Sequence, residues 1–98
     1  LWLGISGTAV SNLTSNANYP NSPSVSTTVG ILEGYINSYD NFGGRISGYI
    51  VPPTTGTYYL WIASDDDSQL WGSSDANPAN KSLIASVTGW TGSREWNK

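Results

Sequence analysis

Apolar positions along this chain alternate in short runs instead of returning every three or four residues. Alternation puts successive side chains on opposite faces of an extended backbone, so the pattern predicts strands. The clearest run is Gly56-Thr57-Tyr58-Tyr59-Leu60-Trp61-Ile62-Ala63-Ser64. Tyr58, Leu60 and Ile62 fall on one face and Tyr59, Trp61 and Ala63 on the other. Both faces are apolar, which predicts a central strand covered on each side. Upstream, Gly44-Arg45-Ile46-Ser47-Gly48-Tyr49-Ile50-Val51 predicts its antiparallel partner. Between them Pro52-Pro53-Thr54-Thr55-Gly56 predicts a turn, in which Pro removes donors and fixes φ while Gly supplies a positive φ. Ser68-Gln69-Leu70-Trp71-Gly72 is expected to pair with residues 58–63 across an acidic turn. Leu83-Ile84-Ala85-Ser86-Val87 reads as another strand, and residues 1–5 and 31–36 as short ones. Residues 6–30, rich in Ser, Thr, Asn and Pro, read as a long surface loop.

Gly, Pro, Ser, Thr and Asn are abundant, and the usual helix formers are scarce. The expected fold is therefore all-β, an antiparallel β-sandwich or barrel. The 98 residues suffice for one domain with a modest core. The chain begins at Leu1, contains no Met and ends on Arg94-Glu95-Trp96-Asn97-Lys98. It is read as a single incomplete domain spanning residues 1–98, a piece of a longer protein that lacks its last strands.

Composition removes several chemistries. Without His or Cys there is no His-based acid–base catalysis, no Ser-His-Asp or Cys-His nucleophile and no structural zinc site. Four Lys and Arg against seven Asp and Glu argue against a nucleic-acid or anionic-membrane partner. No apolar run is long enough for a membrane-spanning helix, so no membrane insertion is expected. Glu33 and Glu95 are the only Glu residues that a glycosidase pair could use, and a chain this small has no room for a cleft around a scissile bond. The expectation is a protein that is not an enzyme.

The one concentration of charge is Asp65-Asp66-Asp67, where the apolar run turns over. Adjacent carboxylates repel, by about 1 kcal/mol per pair at 4 Å in bulk water. A turn uses one Asp for an Asx-type bond and has no need of three. A hard cation would turn the repulsion into binding, and Ca²⁺ takes carboxylate, carbonyl and water oxygens in flexible geometry. A solvated acidic turn tip remains the alternative. An EF-hand is excluded: counting from Asp65, the sixth position is Leu70 and the twelfth Ala76, where Gly and Glu are required.

The run from Gly43 to Trp71, with its Arg-Ile-x-Gly-Tyr-Ile stretch, Pro-Pro-x-x-Gly-x-Tyr turn and Ile-Ala-Ser-Asp-Asp before Leu-Trp, resembles the β-barrel domain named after the anthrax protective antigen. That domain is also found in yeast flocculins and appended to bacterial glycosidases. Trp2-Leu3-Gly4-Ile5-Ser6-Gly7, Asn80-Lys81-Ser82-Leu83-Ile84-Ala85 and Gly89-Trp90-Thr91 extend the likeness over nearly the whole chain. The resemblance implies sugar binding through Ca²⁺, held by two consecutive Asp residues joined by a cis peptide bond, with sugar hydroxyls completing the shell. The implied pair is Asp65 and Asp66, with Asp66 and Asp67 as the alternative register. The family's barrel also has later strands and a second ligand loop, which have no counterpart among these residues.

Trp71, just after the acidic turn, is the best-placed ring for stacking on a sugar; Trp2, Trp61 and Trp90 are read as sheet-packing residues. Asp75-Ala76-Asn77-Pro78-Ala79-Asn80 reads as a plain polar turn. Asn12-Leu13-Thr14 and Asn80-Lys81-Ser82 match the N-glycosylation pattern, but a chain this rich in Asn, Ser and Thr carries such matches by composition alone. The resulting expectation is a carbohydrate-binding module of an extracellular or cell-surface protein, serving adhesion. Its ligand-binding residues are Asp65, Asp66 and Trp71, its cofactor is Ca²⁺, and its partners are a glycan or polysaccharide and other domains of the parent chain. The alternative is a structural or protein-interaction β-barrel module with no sugar site.

Overall fold

The computed structural model describes residues 1–98. They form two compact units, Leu1–Gly48 and Tyr49–Lys98. Regular pairing is antiparallel throughout: two two-stranded sheets, with one five-residue helix and one 3₁₀ turn. This is an all-β chain with little helix.

In the first unit, β1 (Trp2–Leu3) pairs with β2 (Phe42–Gly43). The ladder continues as the Ile5 N–H donates to Asn41 O at 2.9 Å. On the other side of β1, the amides of Ser24 and Val25 donate to Leu1 O at 2.8 and 3.1 Å, and Leu3 N donates to Ser24 Oγ at 3.0 Å. Helix α1 (Val10–Thr14) interrupts the expected loop of residues 6–30 and delivers Leu13 to the corner behind the strands. Trp2, Ile5 and Leu13 are the buried apolar residues of the chain, and Tyr19 packs against them with its ring 5.0 Å from that of Trp2. A Cβ at Gly43 would lie 2.7 Å from Leu13 Cδ1, so only glycine lets the helix approach β2.

In the second unit, β3 (Ser68–Gly72) and β4 (Ser82–Val87) form a twisted ribbon. Ser68 faces Val87, and a bulge between Leu70 and Trp71 shifts the register so that Trp71 faces Leu83. The connecting loop is organised by Asp75, whose Oδ1 accepts from Asn77 N and Ser73 Oγ, each at 2.9 Å. Its Oδ2 accepts from Asn80 Nδ2 at 2.8 Å. A 3₁₀ turn, Pro78–Asn80, is capped by the Asn77 side chain and leads into β4.

Several strand expectations are corrected. Residues 44–51 and 58–63 form no ladder, and residues 31–36 form no strand. β3 pairs with β4 and not with residues 58–63. A strand exists only where another backbone satisfies its donors and acceptors, and residues 58–63 have no such neighbour. Large side chains of both segments stay open: Tyr49 is 78% exposed, Val51 88% and Tyr59 77%. The turn at residues 52–56 is present as a bend, closed by the Tyr58 hydroxyl donating to Thr54 O at 2.5 Å. Gly56 supplies no positive φ; the glycines in that region of backbone space are Gly4, Gly7 and Gly89. Trp2 packs as expected, but Trp61 and Trp90 are exposed.

Candidate functional site

The acidic triplet lies between Ser64 and the start of β3. The loop is closed internally by Ser64 Oγ, which donates to Asp66 O at 2.7 Å and lies 2.6 Å from Ser68 Oγ. It is held externally by the segment that follows β4. Thr91 N donates to Ser64 O at 2.7 Å and Ser64 N to Thr91 Oγ1 at 2.9 Å. The Thr91 hydroxyl also donates onward to Gly92 O at 3.1 Å. Thr91 is the chain's buried polar residue, 4% exposed. A buried hydroxyl that both accepts and donates loses little by leaving water. Asp65 forms a bridge pair with Trp90, which extends the β3–β4 edge by one step.

The three carboxylates have different fates. Asp67 is half-buried, and its Oδ1 accepts from Gly89 N at 2.6 Å. Gly89 has φ +88°, a backbone state glycine adopts without penalty. Asp65 and Asp66 are exposed, and the peptide bond between them is cis. Loss of hydration around its loop pushes the Asp66 carboxyl above the ordinary carboxylate value. The Asp65 charge, a hydrogen bond with the Asp65 side chain and the Asp67 charge push the same way. The pair is thus a patch of anionic oxygen in mutual contact, with Asp67 drawn off to hold the scaffold. No third acidic side chain joins them in a group that could hold a metal. As a donor set, two neighbouring carboxylates suit a hard cation, whose other ligands must come from backbone, water or ligand oxygens.

Trp71 is exposed in β3, with its indole N–H donated to Gln69 Oε1 at 3.1 Å. Three residues beyond Ser68, it sits about 10 Å along the strand from the loop at 3.3 Å per residue. The ring joined to the acidic loop is instead Trp90, opposite Asp65, with Lys98 Nζ 3.6 Å from its ring centroid. Trp90, Thr91, Gly89 and Ser64 were missed as site residues by sequence reasoning. The signal was the Gly-Trp-Thr triplet, whose spacing to the acidic run is set only by pairing. Apart from the loop, an open pocket of about 750 Å³ is lined by Tyr59, Leu60, Trp61 and residues 94–97.

Comparison with known proteins decides the family. The PA14 domain matches residues 6–81. The chain belongs to the PA14 domain family. Among curated proteins, it is 42% identical over 90 residues to N-acetyl-beta-glucosaminyl-glycoprotein 4-beta-N-acetylgalactosaminyltransferase 1 of Mus musculus, covering 92% of this chain. It is also 34% and 38% identical, over 55 residues and 56% of the chain, to fibrocystin of Canis lupus familiaris and of Mus musculus. It spans 8% of the length of the transferase and 1% of the length of either fibrocystin. No solved structure matches. PA14 domains are often carbohydrate-binding units within multidomain proteins, and this chain matches such a small segment in each relative.

Proposed function

We propose that the chain is a non-catalytic carbohydrate-binding module in which Asp65 and Asp66 hold Ca²⁺ beside a glycan, in an extracellular or cell-surface protein. The observation that supports this reading is the division of labour in the triplet. Asp67 and Ser64 tie the loop to Gly89 and Thr91, while Asp65 and Asp66 remain exposed and adjacent. A turn needing only a cap would have no use for the second and third carboxylate. The cation supplies a hard Lewis-acidic centre that draws hydroxyl oxygens. The chain's own part is to fix two anionic ligands on a loop that does not need them for its own closure. Trp71 offers an exposed ring on β3, suited to the apolar face of a sugar. Partners on this reading are a glycan and neighbouring domains of a parent chain.

The test is a melting curve with millimolar Ca²⁺ and with chelator, followed by a glycan array on the same chain. Extracellular Ca²⁺ sites have Kd of order 10⁻⁴–10⁻³ M, so near-millimolar ion adds on the order of 1 kcal/mol. Both the shift and any array signal are expected to vanish in Asp65→Ala/Asp66→Ala. Sugar binding that survives chelator and the double variant refutes the calcium mechanism. A second reading, a protein-interaction module, is favoured by the exposed apolar residues of 49–61 and the pocket beside them. A calcium shift without any glycan signal selects it.

A further inference from the structure

The two N-glycosylation tripeptides, Asn-Leu-Thr and Asn-Lys-Ser, stand in different backbone settings. Asn12-Leu13-Thr14 lies within α1. At 100° per residue, side chains two positions apart on a helix point about 200° apart, so Asn12 and the Thr14 hydroxyl face different sides. Leu13 between them is in the core. Asn12 and Thr14 are exposed as well, but the Asn12 carboxamide is held in place: its Oδ1 accepts from Ala9 N at 2.9 Å, and it fills the space where a Cβ on Gly7 would project.

Asn80-Lys81-Ser82 has the contrary arrangement. Asn80 ends the 3₁₀ turn, Lys81 is extended at φ −68° and ψ 146°, and Ser82 opens β4. From Lys81 onward the backbone is extended and outside any helix, so the helical repeat that turns Asn12 and Thr14 to different sides does not hold Asn80 and Ser82 apart. All three residues are exposed. Asn80 Nδ2 carries two protons and uses one, donating to Asp75 Oδ2 at 2.8 Å. The second is left for substitution, and the bond to Asp75 survives it.

We propose that Asn80 is the N-glycosylation acceptor of the folded chain and that Asn12 is not. In the transfer, Nδ2 forms a bond to C1 of an oligosaccharide carried on a polyprenyl diphosphate. The C1–O bond to the diphosphate breaks, its electron pair leaves with the diphosphate, and Nδ2 gives up one proton. A glycan at Asn80 leaves from the connecting loop, one β3 length from Asp65 and Asp66. Five residues at 3.3 Å is about 17 Å, so the acidic pair stays uncovered. The proposal rests on the secretory setting proposed above and is independent of calcium or sugar binding.

The test is expression of the full chain behind a secretory leader and a carrier domain with its own occupied acceptor, in cultured animal cells. The carrier glycan proves delivery to the lumen, so failure at Asn80 would reflect the site and not the location. Glycopeptide mass spectrometry of the secreted protein is expected to show Asn80 occupied, and converted to Asp on enzymatic release, with Asn12 largely bare. A one-glycan mobility shift should persist in Thr14→Ala and Ser82→Thr. It should be lost in Asn80→Gln and also in Ser82→Ala, which keeps the Asn80–Asp75 bond. A bare Asn80 beside an occupied carrier, or Asn12 occupied as fully as Asn80, overturns it.

Discussion

The corner built from residues 1–13 and the stretch 49–61 are both rich in large apolar side chains, yet the first is the chain's core and the second lies open. Trp2 is 5% exposed, whereas Tyr49, Val51 and Tyr59 each exceed three-quarters. The difference lies in what accompanies the apolar residues. Around Trp2, backbone bonds run to Asn41 on one side and to Ser24 and Val25 on the other, and the indole N–H donates to Asn18 O at 2.9 Å. Those bonds satisfy the polar groups that burial would otherwise strand. Along 49–61 the polar tie is the local Tyr58–Thr54 closure. Apolar content without partners for the backbone leaves a segment extended but uncovered.

The largest effect expected to sharpen this contrast is Trp2→Ala, which removes a buried ring and its hydrogen bond. It should cost about 3–5 kcal/mol in urea unfolding, enough to unfold a marginal unit. Tyr59→Ser and Val51→Ser should each stay within about 0.5 kcal/mol. A loss at Val51 equal to that at Trp2 would break the comparison. Next comes Thr91→Val, which leaves Ser64 N without its acceptor in a buried setting. A cost of about 1–3 kcal/mol is expected, read as faster amide exchange at Ser64, and Thr91→Ser should restore protection.

Smaller effects follow from the charges. The Asp75 carboxyl is held below the ordinary carboxylate value by the Asn80 side chain, then by Asn77 N and the Ser73 hydroxyl. A depressed folded value means its support of the connecting loop is complete above the unfolded carboxylate range and is lost as pH falls through the folded value. Amide exchange at Asn77 and Ala79 should therefore rise on acidification, and Asp75→Asn should flatten that profile. The smallest change expected is Lys98→Ala, which removes the cation over the exposed Trp90 ring, worth about 0.5 kcal/mol. It should alter tryptophan fluorescence while leaving the melting midpoint nearly unchanged.

How much was legible in the sequence varies by element. β4 was read within one residue and β3 to the residue, because each is a short β-prone run bounded by polar turns. The pairing of β3 was misread, since alternation describes faces and carries no information about which backbone lies alongside. Residues 58–63 carry the strongest alternation in the chain and form no ladder, for the same reason. In the site, Asp65 and Asp66 stood out by local charge. Ser64, Gly89, Trp90 and Thr91 did not, because none is unusual until the fold closes a loop of more than twenty residues between them.

Residue chemistry alone thus set the all-β class, the absence of His and Cys chemistry, the acidic run and the family likeness, since these depend on composition and short-range order. Tertiary structure decided which backbone pairs with which, which one of three neighbouring carboxylates holds the scaffold, and which of two acceptor motifs is locked in a helix. The physical reason is that directional hydrogen bonds between distant residues select one arrangement among many that the same local pattern allows.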